Sequence, residues 1–331
     1  MNNYRSFSIT AKGRDHVKVG KECQDYSYHY ENDLISLSLV ADGHGDDNCF
    51  RSERGAEFAI KCAKEGIFEF VRDINKYIKN NSDKNSNRFE LEKLLKERLV
   101  ASVCRSWHVK VIDDIEKHPL THIELEKTDE KYRGRYSAGE KLHHIYGTTL
   151  LAAVVTQNYW FGFHIGDGRW TALYKGGEFD QPVPWDDRCY LNVTTSLSDE
   201  DAAETARVVF WLNKEKKPPA AIFLCSDGVD DNYPVNENDK HLFRKVYRKI
   251  ALCFSKDGFD STYKQLEELV NLCAAKWKGD DTSIAGIVDL ETIKSLEPIY
   301  ERQIAEEKTI TEPINLNSEL ALKIFYTPGD N

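Results

Sequence analysis

Short apolar runs in this chain come in groups, and two long amphipathic stripes stand between the groups. The runs cover 34–41, then 148–156, 159–165 and 170–174, and later 221–225 and 283–288. Each is rich in β-branched or aromatic residues and is bounded by Gly, Asp or Asn, which marks it as a strand. After Arg54, Ala56, Ala59, Ile60, Ala63, Ile67, Phe70, Ile74 and Ile78 recur at three- and four-residue steps, one apolar stripe of a long helix. A polar break at 80–87 reads as a loop. A second stripe then runs through Leu91, Leu95, Leu99, Val103, Trp107, Val111 and Ile115. Further helical patterns cover 202–212, 240–254 and 262–277. Strands that are grouped, not alternating one by one with helices, favour an α+β architecture over a doubly wound sheet. The stretch 117–144 is charged and weakly periodic, which predicts a solvated insertion. After 290 the pattern thins to one late apolar run, 320–326.

Composition narrows the function classes. Of 331 residues, 40% are hydrophobic, enough for a sizeable core, and acids outnumber bases 55 to 45 for a net charge of −10. That balance argues against a sequence-independent nucleic-acid binder, which needs a clustered basic face. No apolar run reaches the roughly 18 residues of a membrane span. The first ten residues are polar and lack a signal peptide's apolar core, so no membrane association and a cytoplasmic location are expected. None of the eight cysteines forms a C-x-x-C pair, and several lie inside apolar runs, so they read as reduced, packed thiols.

Acids end the strands. Val40-Ala41 leads into Asp42-Gly43-His44-Gly45, Ile165-Gly166 into Asp167-Gly168-Arg169, and Cys225-Ser226 into Asp227-Gly228; Asp280-Asp281 precedes the last run. One Asp-Gly is an ordinary turn. Four acidic sites at the rims of core strands make an oxygen-rich pocket, in which carboxylates repel unless a cation neutralises them. Hard oxygen ligands select Mg²⁺, Mn²⁺ or Ca²⁺ over softer metals. P-loop, H-E-x-x-H, G-x-S-x-G and EF-hand patterns all fail on spacing or residue type.

Read in order, these residues resemble the PP2C (PPM) family of metal-dependent protein serine/threonine phosphatases, in its bacterial-type branch. The opening G-x-x-H-x-x-x-G-x-x-x-Q-D is Gly13 to Asp25, V-A-D-G-H-G is Val40 to Gly45, and G-T-T is Gly147-Thr148-Thr149. The family's G-D-S-R appears as Gly166-Asp167-Gly168-Arg169. S-D-G-x-x-D starts at Ser226, with Asp230 or Asp231 as the later acid, and D-[DN]-x-[ST] is Asp280-Asp281-Thr282-Ser283.

The resemblance implies a β-sandwich of two antiparallel sheets flanked by helix pairs, a four-layer α-β-β-α arrangement over 1–290, with a flap near 177–197 and a C-terminal extension, 291–331. It implies two Mn²⁺ or Mg²⁺ ions and a weaker third. Asp42 would bridge the two ions, Asp25 and the Gly43 carbonyl would complete one shell, Asp227 and Asp280 the other, and Asp167 would serve the third. A metal-bridging hydroxide would attack the phosphorus of a phosphorylated protein substrate, and His44 would act as general acid. Where many members carry an Arg that grips the phosphate, this chain has Gly20, which leaves Arg14, Lys18, Lys21 or Arg169 to take that role. Two other readings are a non-catalytic binding module of the same fold and a phosphatase of small phosphate esters.

Overall fold

The computed structural model describes residues 3–80, 87–190, 193–230, 239–276 and 279–306. The sequence features at Asp231 and 320–326 lie outside them. Strand β1 (Tyr4–Ala11) and a short helix α1 (Arg14–Val19) precede the pair β2 (Asp25–Glu31) and β3 (Ile35–Asp42). Helix α2 (Ser52–Asn80) follows, then α3 (Arg88–Leu94), which continues through a π-helical stretch (Leu95–Val100) into α4 (Ala101–Lys117). Two short helices, α5 (His122–Lys127) and α6 (Glu130–Ser137), lead to β4 (Leu150–Thr156), β5 (Tyr159–Ile165), β6 (Arg169–Leu173) and β7 (Phe179–Asp180). After α7 (Ala202–Thr205) come β8 (Arg207–Leu212), β9 (Ala221–Cys225), α8 (Asp227–Asp230), α9 (Asp239–Asp257), α10 (Phe259–Lys276), β10 (Thr282–Asp289) and α11 (Leu290–Glu306).

Two antiparallel sheets form among the described residues, in the orders β1-β10-β9-β6-β7 and β2-β3-β4-β5-β8. Their inner faces meet through Val40, Leu151, Ala153, Trp160, Trp170, Ile222, Leu224 and Ile287. The outer face of the second sheet packs on α2 and α4 through residues such as Ile60, Ile67, Trp107 and Phe161. The outer face of the first packs on α9, α10 and α11 through Phe7, Tyr247, Phe254, Leu266 and Tyr300. The layers are therefore helix, sheet, sheet, helix, the order expected from the motifs. Every residue of β4 and β5 is buried, which is why those runs read as continuously apolar.

The 202–212 stretch departs from its helical reading. Only Ala202–Thr205 is helical, and Arg207–Leu212 is an edge strand paired with β5. Val208, Val209, Phe210 and Trp211 are β-branched or aromatic, and the ladder to β5 outweighs the weak helical spacing. Strands β1 and β2 gave no apolar run because each is the edge strand of its own sheet and is half polar. Their signal is alternation: Phe7, Ile9 and Ala11 on β1 pack toward the helices of the first sheet, and Tyr28 and Tyr30 on β2 pack toward those of the second. Side chains fasten the two edges to each other, with Arg5 Nε 2.6 Å from Glu31, Ser8 Oγ 2.9 Å from His29 Nδ1 and Thr10 Oγ1 2.7 Å from Ser27 Oγ. The charged 117–144 stretch is helical, not an open loop. Its α5 opens with a capping box at Thr121 and Glu124, and Arg51 grips Glu124 with two nitrogens at 2.8 and 3.1 Å.

Candidate active site

Antiparallel register brings the first two acids together. Asp25 begins β2 and Asp42 ends β3, directly opposite each other. Asp167 follows β5 and Asp227 follows β9. The first sheet contributes the loop before β10, which carries Asp280 and Asp281. These segments meet at one end of the sandwich, where Asp25, Asp42, Asp167, Asp227 and Asp281 are electrostatic neighbours. Burial first, then the Asp281 and Asp227 charges, push the Asp25 carboxyl up to about 8, while the Ser283 and Ser226 hydroxyls pull the other way. Burial and the charges of Asp25, Asp227 and Asp167 likewise drive Asp42 well above the usual carboxylate range. Asp25 is 2% exposed, and apart from the nearby Ser283 and Ser226 hydroxyls neither of its carboxylate oxygens is met by a hydrogen bond of ordinary geometry. Asp280 is exposed, one residue from Asp281. Among the described residues, no group of three or more His, Cys, Asp or Glu side chains is gathered closely enough to hold a metal ion as it stands.

Backbone contacts explain the motifs around the acids. Thr149 N and Thr148 Oγ1 donate to the Asp42 carbonyl at 2.8 and 2.9 Å, and Asp42 N donates to Thr149 Oγ1 at 3.0 Å. The two threonines thus lock the end of β3. Gly43 donates to Gln24 O at 3.0 Å, and a Cβ there would lie 2.7 Å from both Gln24 O and Ser52 O. Gly228 is under the same constraint, since a Cβ would come within 2.0 Å of Asp281 O. These glycines let the backbone approach where any side chain would collide.

Asp281 is a residue whose importance the sequence reading missed. It is 3% exposed and sutures two segments to the loop before β10. Gly13 N donates to its Oδ1 at 2.6 Å, Gln24 N donates to Oδ2, and His16 Nδ1 lies 3.0 Å from Oδ1. Burial pushes its carboxyl up, but the His16 side chain and the two N–H groups outweigh it and hold the carboxyl below its ordinary range. The His at the fourth position of the opening motif and the second acid of Asp280-Asp281 were the available signals. Asp281→Ala is expected to destabilise the fold by about 3 kcal/mol, because it strands buried donors. Asp280→Ala, at an exposed position, is expected to stay within about 0.5 kcal/mol of wild type. Urea denaturation of the metal-free variants checks the contrast.

His44 lies on the loop after β3. Its N–H donates to Gly147 O at 3.0 Å, and its ring packs so closely on Gly147 that a Cβ there would meet His44 Cδ2 at 2.5 Å. Burial, then the nearby His144, push its imidazole down to about 4, against the pull of Asp46. The candidate phosphate cations are spread around this rim. Lys21 Nζ donates to Gly45 O at 2.7 Å, next to His44. Arg14 Nε is 3.2 Å from Asp15 Oδ1, and Lys18 also bonds Asp15. The Arg169 guanidinium stands 4.2 Å over the ring of Trp185, in the 177–197 segment. Gly20 has a local reason to be glycine, because it caps α1 in the left-handed region at φ 69°.

Buried Asp186 ties the 177–197 segment to the Asp167 turn. It accepts from Arg188 Nη2 at 2.9 Å and Thr195 Oγ1 at 3.2 Å, while Gly166 N donates to Thr195 Oγ1 at 3.0 Å and Arg207 Nη2 donates to Gly166 O at 2.7 Å.

Two packed antiparallel sheets with helices outside and carboxylates at one shared rim are the arrangement the sequence motifs lead one to expect of a metal-dependent protein phosphatase. The chain belongs to the protein phosphatase 2C family, whose profile matches residues 12–271. Among solved structures it is similar to a C. elegans sex determining protein, with a TM-score of 0.53 at 14% identity, covering 90% of this chain and 68% of that one. It is also similar to the Mycobacterium tuberculosis serine/threonine phosphatase PstP/Ppp, with a TM-score of 0.47 at 15% identity, covering 86% of this chain and 98% of that one. The catalytic domain of the serine threonine protein phosphatase PstP in complex with two manganese ions gives a TM-score of 0.46 at 15% identity, covering 86% and 97%. At these identities the likeness is one of fold. No curated protein matches the chain. No helix among the described residues is long and apolar enough to cross a membrane.

Proposed function

We propose that this phosphatase hydrolyses phosphoserine and phosphothreonine in proteins, with Asp42 shared between two divalent ions. Asp25 and the Gly43 carbonyl would help hold one ion, Asp227 and Asp280 the other, and Asp167 would serve a weaker third. The observation that carries this reading is Asp25, buried, short of hydrogen-bond donors and facing Asp42 across the β2–β3 pair. The Ser283 and Ser226 hydroxyls only partly offset the burial of Asp25, a carboxylate so placed is costly unless a cation satisfies it, and an all-oxygen donor set suits Mg²⁺ or Mn²⁺. When bound, two such ions supply a nucleophilic water of lowered pKa and neutralise the phosphoryl oxygens.

The chain's own groups do the rest. Thr148 and Thr149 hold the Asp42 backbone in place. His44 gives its proton to the departing serine or threonine oxygen, a poor leaving group without it. A phosphate dianion seated beside the imidazole favours its charged form and opposes the depression that burial causes. Lys21, bonded to the carbonyl of Gly45, the residue after His44, attracts the phosphate from the rim.

The test is hydrolysis of a phosphothreonine peptide with Mn²⁺, with Mg²⁺ and with EDTA. Turnover should need the metal and vanish on chelation. Turnover that persists in EDTA would overturn the reading. Calorimetry that finds no metal binding by the folded chain would favour a binding module of the same fold.

A further inference from the structure

We infer that Tyr136 and His144 are positioning residues for His44, and that the helical insertion is built into the active site through them. The inference rests on the proposed role of His44. The observation is one hydroxyl that joins the two segments flanking His44. Tyr136, on α6 and 2% exposed, donates its proton to Asn48 O at 3.0 Å, and His144 Nδ1 lies 2.7 Å from the same oxygen. A phenol has one proton, and a carbonyl can only accept. The Asn48 bond therefore uses that proton, and His144 must donate Nδ1–H to the Tyr136 oxygen. This selects one tautomer of His144. Tyr132, also on α6, stacks on the His144 ring at 4.9 Å and 6°, so the imidazole is fixed in plane as well as in direction. The Cys49 sulfur is 3.9 Å from the same nitrogen.

From His144 the connection to His44 is short. Gly147 N donates to His144 O at 3.0 Å, Gly147 O accepts from His44 N at 3.0 Å, and the His44 ring rests on Gly147 with no room for a Cβ. On the other side, Asn48 lies four residues beyond His44 and is held to the insertion again, its Nδ2 donating to Asp129 Oδ2 at 3.0 Å. The Tyr136 hydroxyl thus clamps both ends of the segment that orients the acid. Without it, the His44 loop keeps its backbone bond to Gly147 but loses the tie that fixes the floor beneath its ring. Misplacing an acid by a fraction of an ångström lowers turnover more than binding.

Tyr136→Phe removes only the hydroxyl. With a phosphothreonine peptide, kcat should fall about tenfold with KM within about twofold, and p-nitrophenyl phosphate turnover should change by less than about twofold. In a His44→Ala background, Tyr136→Phe should cost nothing further. His144→Asn keeps an N–H where Nδ1 stood and should retain most of the activity, whereas His144→Phe should match Tyr136→Phe. Imidazole nitrogen NMR provides a readout independent of turnover. The wild-type His144 should be the Nδ1–H tautomer, and Tyr136→Phe should mix its tautomers and shift the His44 resonances. Unmoved His44 resonances, equal losses on both substrates where His44→Ala itself discriminates between them, or an additive loss in the His44→Ala background would each overturn the inference. If the resonances move but His44→Ala shows no preference between substrates, the positioning role stands and the general-acid role of His44 fails.

Discussion

Asp42→Asn should abolish metal-dependent turnover while leaving the metal-free protein at least as stable as wild type. Few substitutions separate activity from stability in this way. On the proposed reading Asp42 would be shared by two ions, so its loss would remove a ligand from each, and turnover of a phosphothreonine peptide should fall by about 10³-fold or more. Stability should move in the opposite direction. Burial and the charges of Asp25, Asp227 and Asp167 make the ionised Asp42 costly in the absence of a cation. A neutral amide of the same shape removes that repulsion and keeps the backbone bonds to Thr148 and Thr149. In EDTA, the Tm of Asp42→Asn should therefore equal or exceed that of wild type. Added Mn²⁺ should stabilise wild type by about 2.7 kcal/mol at a hundred times its Kd, and the variant by much less. A variant that unfolds in EDTA well below wild type would show that Asp42 is a structural acid and not a metal ligand. A variant that keeps wild-type turnover would remove Asp42 from the site altogether.

Asp42 was legible in the sequence because a carboxylate at the end of an apolar run has few places to go. The run fixes the strand, and the strand fixes the rim. The same logic located Asp167 and Asp227, and the fully buried β4 and β5 were legible from composition alone. Asp25 was legible only through the family motif, because β2 is a half-polar edge strand without an apolar run. Asp281 shows a different limit. Its neighbour Asp280 and it look equivalent in sequence, yet one is exposed and the other is buried among donors from Gly13 and Gln24, more than 250 positions away. No local pattern encodes a contact of that span. The helical spacing at 202–212 misled for a related reason, since pairing with β5 settles the conformation of Arg207–Leu212 and is invisible locally. The charged 117–144 stretch read as solvent-facing because most of its residues are. Its buried Tyr136 carries the connection to the site, and a single buried tyrosine leaves no periodic trace.

His44→Ala should separate substrates by the basicity of what leaves. A serine or threonine alkoxide is a strong base and departs slowly unless protonated in the transition state, while p-nitrophenolate is a stable anion that departs unaided. Removal of the proton donor should therefore lower kcat for a phosphothreonine peptide by about 10²–10³-fold and for p-nitrophenyl phosphate by less than about tenfold. A series of aryl phosphates of rising leaving-group basicity makes the argument quantitative. In wild type the donor compensates for the poorer leaving groups, so log kcat should fall gently along the series. In His44→Ala the compensation is gone and the slope should steepen. The ring packs against Gly147, and its own N–H reaches Gly147 O, a bond that alanine retains. The loop should hold its course in the variant, and Mn²⁺ dependence should survive at the residual rate. Parallel slopes for the two proteins, with both rates lowered alike, would mean that His44 shapes the pocket or contacts the phosphate and that another group delivers the proton. A loss of Mn²⁺ dependence together with the rate would instead place the effect on the adjoining Asp42–Gly43 segment, and the two outcomes are distinguished by titrating the metal at each point of the series.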